Sequence, residues 1–307
     1  MLDVEPDVLV VGESLVDIVR RADGSLEEFP GGSAANVAVA LARLGRPVRF
    51  VTSFADDEHG RLVAGHLDRA GVSLAAEPGA VARTSTAMAT LQPDGSARYD
   101  FDLDWRINTV SDGAPPLVVH TCSLGAVLAP GAADVLALVR GLRAHATVTY
   151  DVNARPAITG TGPDVVEAVE RVVAVADLVK ASDEDLDALY PGMDHAGAAT
   201  ALLARGPIAV VVTRGGAGAT WYSRSGVVEV AARPVEVADT IGAGDTFGAA
   251  LVDALWSRGL LGAGARAALA GLDDAGVTAV LSYAARAAAV TVSRPGADPP
   301  YRAELDG

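Results

Sequence analysis

The sequence predicts an α/β fold with a mostly parallel central sheet flanked by helices, and three observations carry that prediction. Short apolar runs alternate with stretches of helical periodicity along most of the chain, which is the grammar of βαβ units. Half of the 307 residues are hydrophobic, chiefly Ala, Val and Leu, with only 5% aromatic, as helices packed on a buried parallel sheet require. The length exceeds the usual single domain and falls short of two full ones, so residues 1–307 are expected to form one domain with a small insertion.

Val8-Leu9-Val10-Val11 reads as a buried strand, and Gly12 to Phe29 reads as short exposed strands turning at Asp23-Gly24. Ser33 is expected to cap a helix over residues 34–44, which Gly45 stops. A strand at 48–52 and a helix at 57–70 ending at Gly71 continue the alternation. Between about 84 and 105 a hairpin interrupts it, with arms at 86–91 and 97–103 around Pro93-Asp94-Gly95. Strands at 117–120, 147–151, 178–180 and 208–213 follow, separated by helical stretches, then short strands near Thr220 and at 227–230. Long Ala-rich helices are predicted from Asp245 and from Asp274. The alternating segments near 13–30 and 84–105 are expected to form a lid sheet apart from the main one, its edges covered by lid-to-lid pairing in a homodimer.

A net charge of −15 argues against nucleic acid and anionic membrane surfaces as partners, since both demand a basic footprint. The single cysteine, Cys122, allows no internal disulfide and reads as a buried small hydrophobe. The acidic start is unlike a signal peptide and no uninterrupted apolar run approaches membrane-spanning length, so a cytoplasmic protein is expected. There is one lysine, Lys180, against twenty-three arginines, and no Gly-Lys pair, which excludes a P-loop. The VAIK lysine and HRD loop of eukaryotic-type protein kinases are missing too. Five scattered histidines offer no zinc-ligand spacing.

The most specific segment is Asp239-Thr240-Ile241-Gly242-Ala243-Gly244-Asp245. Two glycines let backbone N–H groups converge just before a helix begins, which combines an amide nest with a positive helix terminus and suits developing phosphate charge. Asp245, in the first turn, is placed to accept a proton from an attacking hydroxyl. A plain glycine turn followed by an acidic helix start is the alternative. Dinucleotide binding through Gly242, Gly244 and Gly248 is not supported, because no strand with an acidic end follows some twenty residues on. The second segment is Gly31-Gly32-Ser33-Ala34-Ala35-Asn36, where paired glycines permit close approach and Asn36 offers a donor and an acceptor to a polyol.

Together these segments resemble the two signatures of the PfkB, or ribokinase-like, family of carbohydrate kinases, collinear over nearly the whole chain. The resemblance implies a single α/β domain with a small β-sheet lid, binding ATP and a sugar. It implies Asp245 as catalytic base and the backbone of Gly242, Ala243 and Gly244 as anion hole. Sugar contacts fall on Asp17, Gly31, Gly32 and Asn36. Thr213-Arg214-Gly215-Gly216-Ala217-Gly218 looks like the nucleotide-side loop, with Thr213, Gly215, Gly216 and Gly218 against phosphate and ribose. Lys180 and Ser182 belong to a segment similar to the family's NxxE, with Ser182 for Asn and Asp185 for Glu, so Asp185 or Glu184 is expected to hold Mg²⁺, in part through water. Ala285 stands where relatives often carry an Asn near the adenine. Asp239, the carbonyl of Ile241 and Ser293 resemble a monovalent-cation loop, which implies K⁺. Asp151-Val152-Asn153-Ala154-Arg155-Pro156 resembles the DxNxRP stretch of fructokinase-like members and points Asn153 and Arg155 at fructose. Ribose and 2-keto-3-deoxygluconate are the alternatives, the latter because Arg155 or Arg106 is free to face a carboxylate. A non-catalytic sugar- or nucleotide-binding relative is the rival from another class.

Overall fold

The computed structural model describes residues 6–21, 23–91, 97–110 and 113–306; the expected turn at Pro93-Asp94-Gly95 lies outside them. Thirteen strands are assigned among these residues: β1 Val8–Val11, β2 Leu15–Arg20, β3 Leu26–Gly31, β4 Val48–Val51, β5 Ser73–Leu74, β6 Thr86–Leu91, β7 Ala97–Asp102, β8 Val118–Cys122, β9 Thr147–Asp151, β10 Leu178–Ser182, β11 Ala209–Thr213, β12 Ala219–Ser223 and β13 Gly226–Val230. Nine of them make one sheet in the order β13-β12-β11-β10-β9-β8-β1-β4-β5. From β5 through β11 every pairing is parallel, and only β12 runs against its neighbours.

Every residue of β1, β8 and β9 is buried; β1 is accordingly an unbroken apolar run, whereas β8 and β9 also bury polar His120, Thr121, Thr147, Thr149 and Asp151. One apolar layer joins the sheet to the helices Ser33–Arg43, Glu58–Arg69, Ala243–Trp256 and Asp274–Val292, and the other joins it to Gly131–Leu142, Pro163–Val173 and His195–Leu203. Phe50 and Tyr150 are among the largest side chains wholly removed from solvent, and cutting either to Ala would cost about 3–5 kcal/mol.

One sequence expectation changes. Ser33 is not a cap: the helix is preceded by Gly32 at φ 102°, no side chain caps it, and Ser33 is its first residue with its hydroxyl free for other work. The helix Asp274–Val292, at 19 residues, is long and apolar enough by composition to cross a bilayer, although Asp274, Thr278, Ser282 and Arg286 interrupt its apolar run. Its face of Val277, Val280, Leu281, Ala284 and Ala287 is instead buried in the core beside Ala243–Trp256.

The remaining four strands form a separate sheet in the order β3-β2-β6-β7. Its register places Phe29, Asp17, Ala87 and Phe101 in one cross-strand row, so they share a face. Val16, Ile18 and Met88 lie on the opposite face and join the main core.

Candidate active site

The parallel strands end together at one edge of the main sheet, where α/β proteins hold their ligands. Asp245 occupies the third residue of the helix Ala243–Trp256 and is 6% exposed. Ser33 donates its hydroxyl to Asp245 Oδ1 at 2.6 Å, and Asn36 Nδ2 donates to Oδ2 at 2.8 Å. Asn153 Nδ2 reaches Ser33 Oγ at 2.7 Å and Asp245 Oδ1 at 3.4 Å. Arg155 Nη1 in turn donates to Asn153 Oδ1 at 2.6 Å. Three segments far apart in sequence thus meet on one carboxylate, which hydrogen bonding from neutral donors orients without cancelling its charge.

The turn before this helix requires its glycine. Gly242 sits at φ 73°, and a Cβ there would lie 2.6 Å from the Cβ of Ala297. Asp239 ties the same turn to the chain at 293–297 by accepting from the N–H of Ile241 at 3.0 Å and of Gly296 at 2.9 Å, and these N–H groups hold its pKa below the ordinary value. Ser293 spends its hydroxyl on the carbonyl of Val290.

Beneath the 242–244 turn lies a buried ion pair. Lys180 Nζ and Asp151 Oδ2 are 2.8 Å apart on paired residues of β10 and β9, both side chains nearly inaccessible. A Cβ on Gly244 would lie 3.4 Å from Nζ, so the ammonium stands directly under that backbone. Burial works to lower the Lys180 pKa, but the charge and hydrogen bond of Asp151 together with the Asp185 and Asp245 charges carry the ammonium above its ordinary value.

Asp185 is committed to the scaffold. It forms a capping box with Ser182 and also accepts from the N–H of Ala154 at 2.7 Å, which fixes the start of the Asp183–Leu189 helix to the Asn153 turn. Glu184 is exposed and its carboxylate makes no hydrogen bond among the described residues. In the 213–218 loop the glycines divide into two kinds. Gly215 and Gly216 have nothing within 4 Å of a Cβ position, leaving bare backbone beside open space, whereas a Cβ on Gly218 would lie 2.1 Å from the carbonyl of Val230. Thr213 makes only a long contact, at 3.5 Å, to the carbonyl of Ala181.

On the small sheet, Gly31 lies against the Asp17 side chain, whose Oδ2 would be 2.4 Å from a Cβ there, and Gly32 is glycine because its φ is positive and the carbonyl of Glu13 crowds it. Asp17 is open to water yet surrounded by the walls of the cleft, which push its carboxyl up to about 6 against the pull of Arg155.

Sequence reasoning missed two residues here. Ser33 was assigned to the backbone as a cap and instead serves Asp245. Glu13 is 6% exposed, and its Oε2 accepts from the N–H of Gly125 at 2.7 Å. Burial pushes its carboxyl up to about 7, with backbone N–H groups and Arg155 opposing the shift and the Asp245 charge adding to it. Its only signal in the sequence is an acid one residue past a buried strand and a glycine. The two non-glycine residues with positive φ among the described residues, Ser123 at 49° and Asn153 at 37°, lie at this site and are joined by the Ser123 hydroxyl donating to the Asn153 carbonyl at 3.1 Å.

The chain matches the pfkB family carbohydrate kinase pattern over residues 5–304. It belongs to the pfkB family of carbohydrate kinases. A fructokinase of Rhizobium leguminosarum bv. trifolii is 33% identical over 267 residues, covering 83% of this chain and 81% of the relative. The crystal structure of a Xylella fastidiosa fructokinase with bound ATP superposes with a TM-score of 0.85 at 27% identity, covering 97% of each chain. A Vibrio cholerae fructokinase in a fructose-, ADP- and potassium-bound form reaches 0.76 at 25% identity, covering 98% of each chain. As a pfkB kinase, the protein is an ATP-dependent carbohydrate kinase with the ribokinase-like architecture described above.

Proposed function

We propose that this pfkB kinase phosphorylates fructose, with Asp245 as the base. The observation that carries the proposal is the chain of contacts from Arg155 through Asn153 and Ser33 to Asp245, because it connects the fructokinase-like DxNxRP stretch to the group that would receive the proton. In the proposed reaction a sugar hydroxyl gives its proton to Asp245 while its oxygen attacks the γ-phosphorus, and the bond to the ADP oxygen breaks in line. The backbone N–H groups of Gly242, Ala243 and Gly244, with the Lys180 ammonium below them, stabilise the transferring charge. Asn36 and Asp17 contact sugar hydroxyls, and bare Gly215 and Gly216 face the nucleotide, with Thr213 and Gly218 shaping that loop.

Among the described residues no three His, Cys, Asp or Glu side chains converge as a metal cage, which suits an ion that arrives on the nucleotide and keeps several waters. Exposed Glu184 fits such water-mediated contact better than Asp185, whose oxygens already accept backbone N–H groups. When bound, Mg²⁺ neutralises phosphate charge. Oxygen donors at Asp239, Ile241 and Ser293 suit K⁺, the ion present in the Vibrio cholerae fructokinase structure. The four-stranded sheet would close over the sugar with its Asp17 row inward, and lid-to-lid pairing in a homodimer would cover its edges.

The charge of the cleft favours a neutral sugar over a 2-keto acid. Glu13, Asp17 and Asp245 surround it, and Arg155 Nη1 is already spent on Asn153 and the carbonyl of Ala154. The test is coupled ADP release across fructose, ribose and 2-keto-3-deoxygluconate. Fructose is expected to give the highest kcat/KM; a tenfold advantage for either alternative refutes the sugar, and no turnover with any sugar refutes the proposed catalytic role.

A further inference from the structure

A cavity of about 310 Å³ opens between the helices Ala243–Trp256 and Asp274–Val292, well away from Asp245. Its wall includes Arg233, Arg258, Arg286 and Arg302, against the single carboxylate of Asp253. In a chain of net charge −15, four guanidinium groups around one space is a local reversal of sign.

The carboxylate is already shared between two guanidinium groups, and Asp306 adds a second negative charge near Arg302. Asp253 is 1% exposed, and its Oδ1 already accepts from Arg46 Nε and Arg302 Nη2, each at 2.6 Å, while Oδ2 accepts from the Tyr283 hydroxyl at 2.7 Å. Arg258 reaches only the carbonyl of Ala254, at 3.0 Å in its own helix, and Arg233 is exposed with no hydrogen bond or ion pair to a described residue. Arg286 lies over the Tyr283 ring at 5.5 Å, which holds its guanidinium plane at the wall. Rigid guanidinium forks facing one space match phosphate oxygens, and the volume is that of a small-molecule pocket rather than a packing defect.

We propose that this cavity binds a small phosphate-bearing metabolite at a site separate from the catalytic cleft. Asp253 lies eight residues beyond Asp245 on one helix, so at 1.5 Å per residue the two are about 12 Å apart along its axis. The buried Asp253 network anchors the cavity to that helix, and an occupant there bears on the element that positions the base.

Calorimetric titration of the kinase with pyrophosphate and with fructose 1,6-bisphosphate tests the site, each run with a non-hydrolysable ATP analogue and Mg²⁺ held saturating. Saturable binding of at least one probe is expected under those conditions, weakened at least tenfold in the Arg233→Gln/Arg258→Gln variant. These side chains are exposed, so folding and basal kcat should match the unaltered enzyme, and a melting curve confirms the former. Three results overturn the proposal: no saturable binding of either probe at millimolar concentration, binding unchanged in the variant, or displacement of the probe by the ATP analogue, which would make the cavity part of the nucleotide site.

Discussion

Replacing Asp245 with Asn separates its proton-accepting role from its place in the helix. Size is kept, and one amide oxygen remains to accept from either Ser33 or Asn36, but not from both in the present arrangement. The NH₂ group faces a donor on the other side. If Ser33 rotates its hydroxyl to accept, little is lost; if Asn36 is left facing another donor, an unsatisfied buried group costs about 1–3 kcal/mol. Melting should therefore fall by no more than about 2–4 °C for each kcal/mol lost. Turnover should fall far more, by about 10²–10⁴-fold, because an amide cannot take the hydroxyl proton. Nucleotide affinity should hold or tighten, since a negative charge beside the γ-phosphate is gone. Coupled ADP release gives kcat, calorimetry with a non-hydrolysable analogue gives Kd, and a melting curve guards against unfolding. A folded variant that binds nucleotide and keeps more than a tenth of the turnover would refute Asp245 as the base.

Glu13→Gln should raise stability above pH 7 and change it little below about pH 4.5. The native carboxyl, at about 7 against an ordinary 4.5, holds its proton longer than the unfolded chain does, so stability is lost as pH rises through that window, by about 3 kcal/mol at most. Urea denaturation at pH 4.5 and pH 8 measures it, and an equal difference at both values contradicts the assignment. Lys180→Met strands the Asp151 carboxylate in the core and should cost about 3–5 kcal/mol, with partial recovery in the Lys180→Met/Asp151→Asn double variant; additive losses would show that the pair is not coupled. Gly216→Ala should leave the melting temperature unchanged and raise the KM for ATP, whereas Gly218→Ala should destabilise the protein because its Cβ meets the Val230 carbonyl. The same response at both positions would refute the division of that loop.

The central sheet was legible because short segments rich in apolar residues, unbroken in β1 and mixed with buried Thr, His and Asp in β8 and β9, recur between helical stretches. The Asp245 turn was legible because glycine and acid at fixed spacing encode local geometry. Ser33 was misread for a physical reason: a serine at a helix start is usually a cap, and only the positive φ of Gly32 frees it to reach a residue 212 positions away. Glu13 was invisible because its environment comes from Gly125, 112 residues on, and from the Asp245 and Arg155 charges. The two-residue strand β5 is too short to carry any periodicity. Asp185 illustrates the opposite error: a carboxylate suggested as a metal ligand holds Ser182 and Ala154 in place by their N–H groups.

The buried pair under the 242–244 turn also makes the protein a reporter of its own unfolding. Lys180 is the only lysine in the sequence, and it is 6% exposed with its ammonium bonded to Asp151. Apart from the α-amino group, the folded chain therefore presents almost no amine to acylating reagents. Mass spectrometric counting of acyl groups on Lys180 would follow global opening with a single intrinsic label, and amine-directed cross-linking or surface immobilisation of the native protein would largely fail at any side chain.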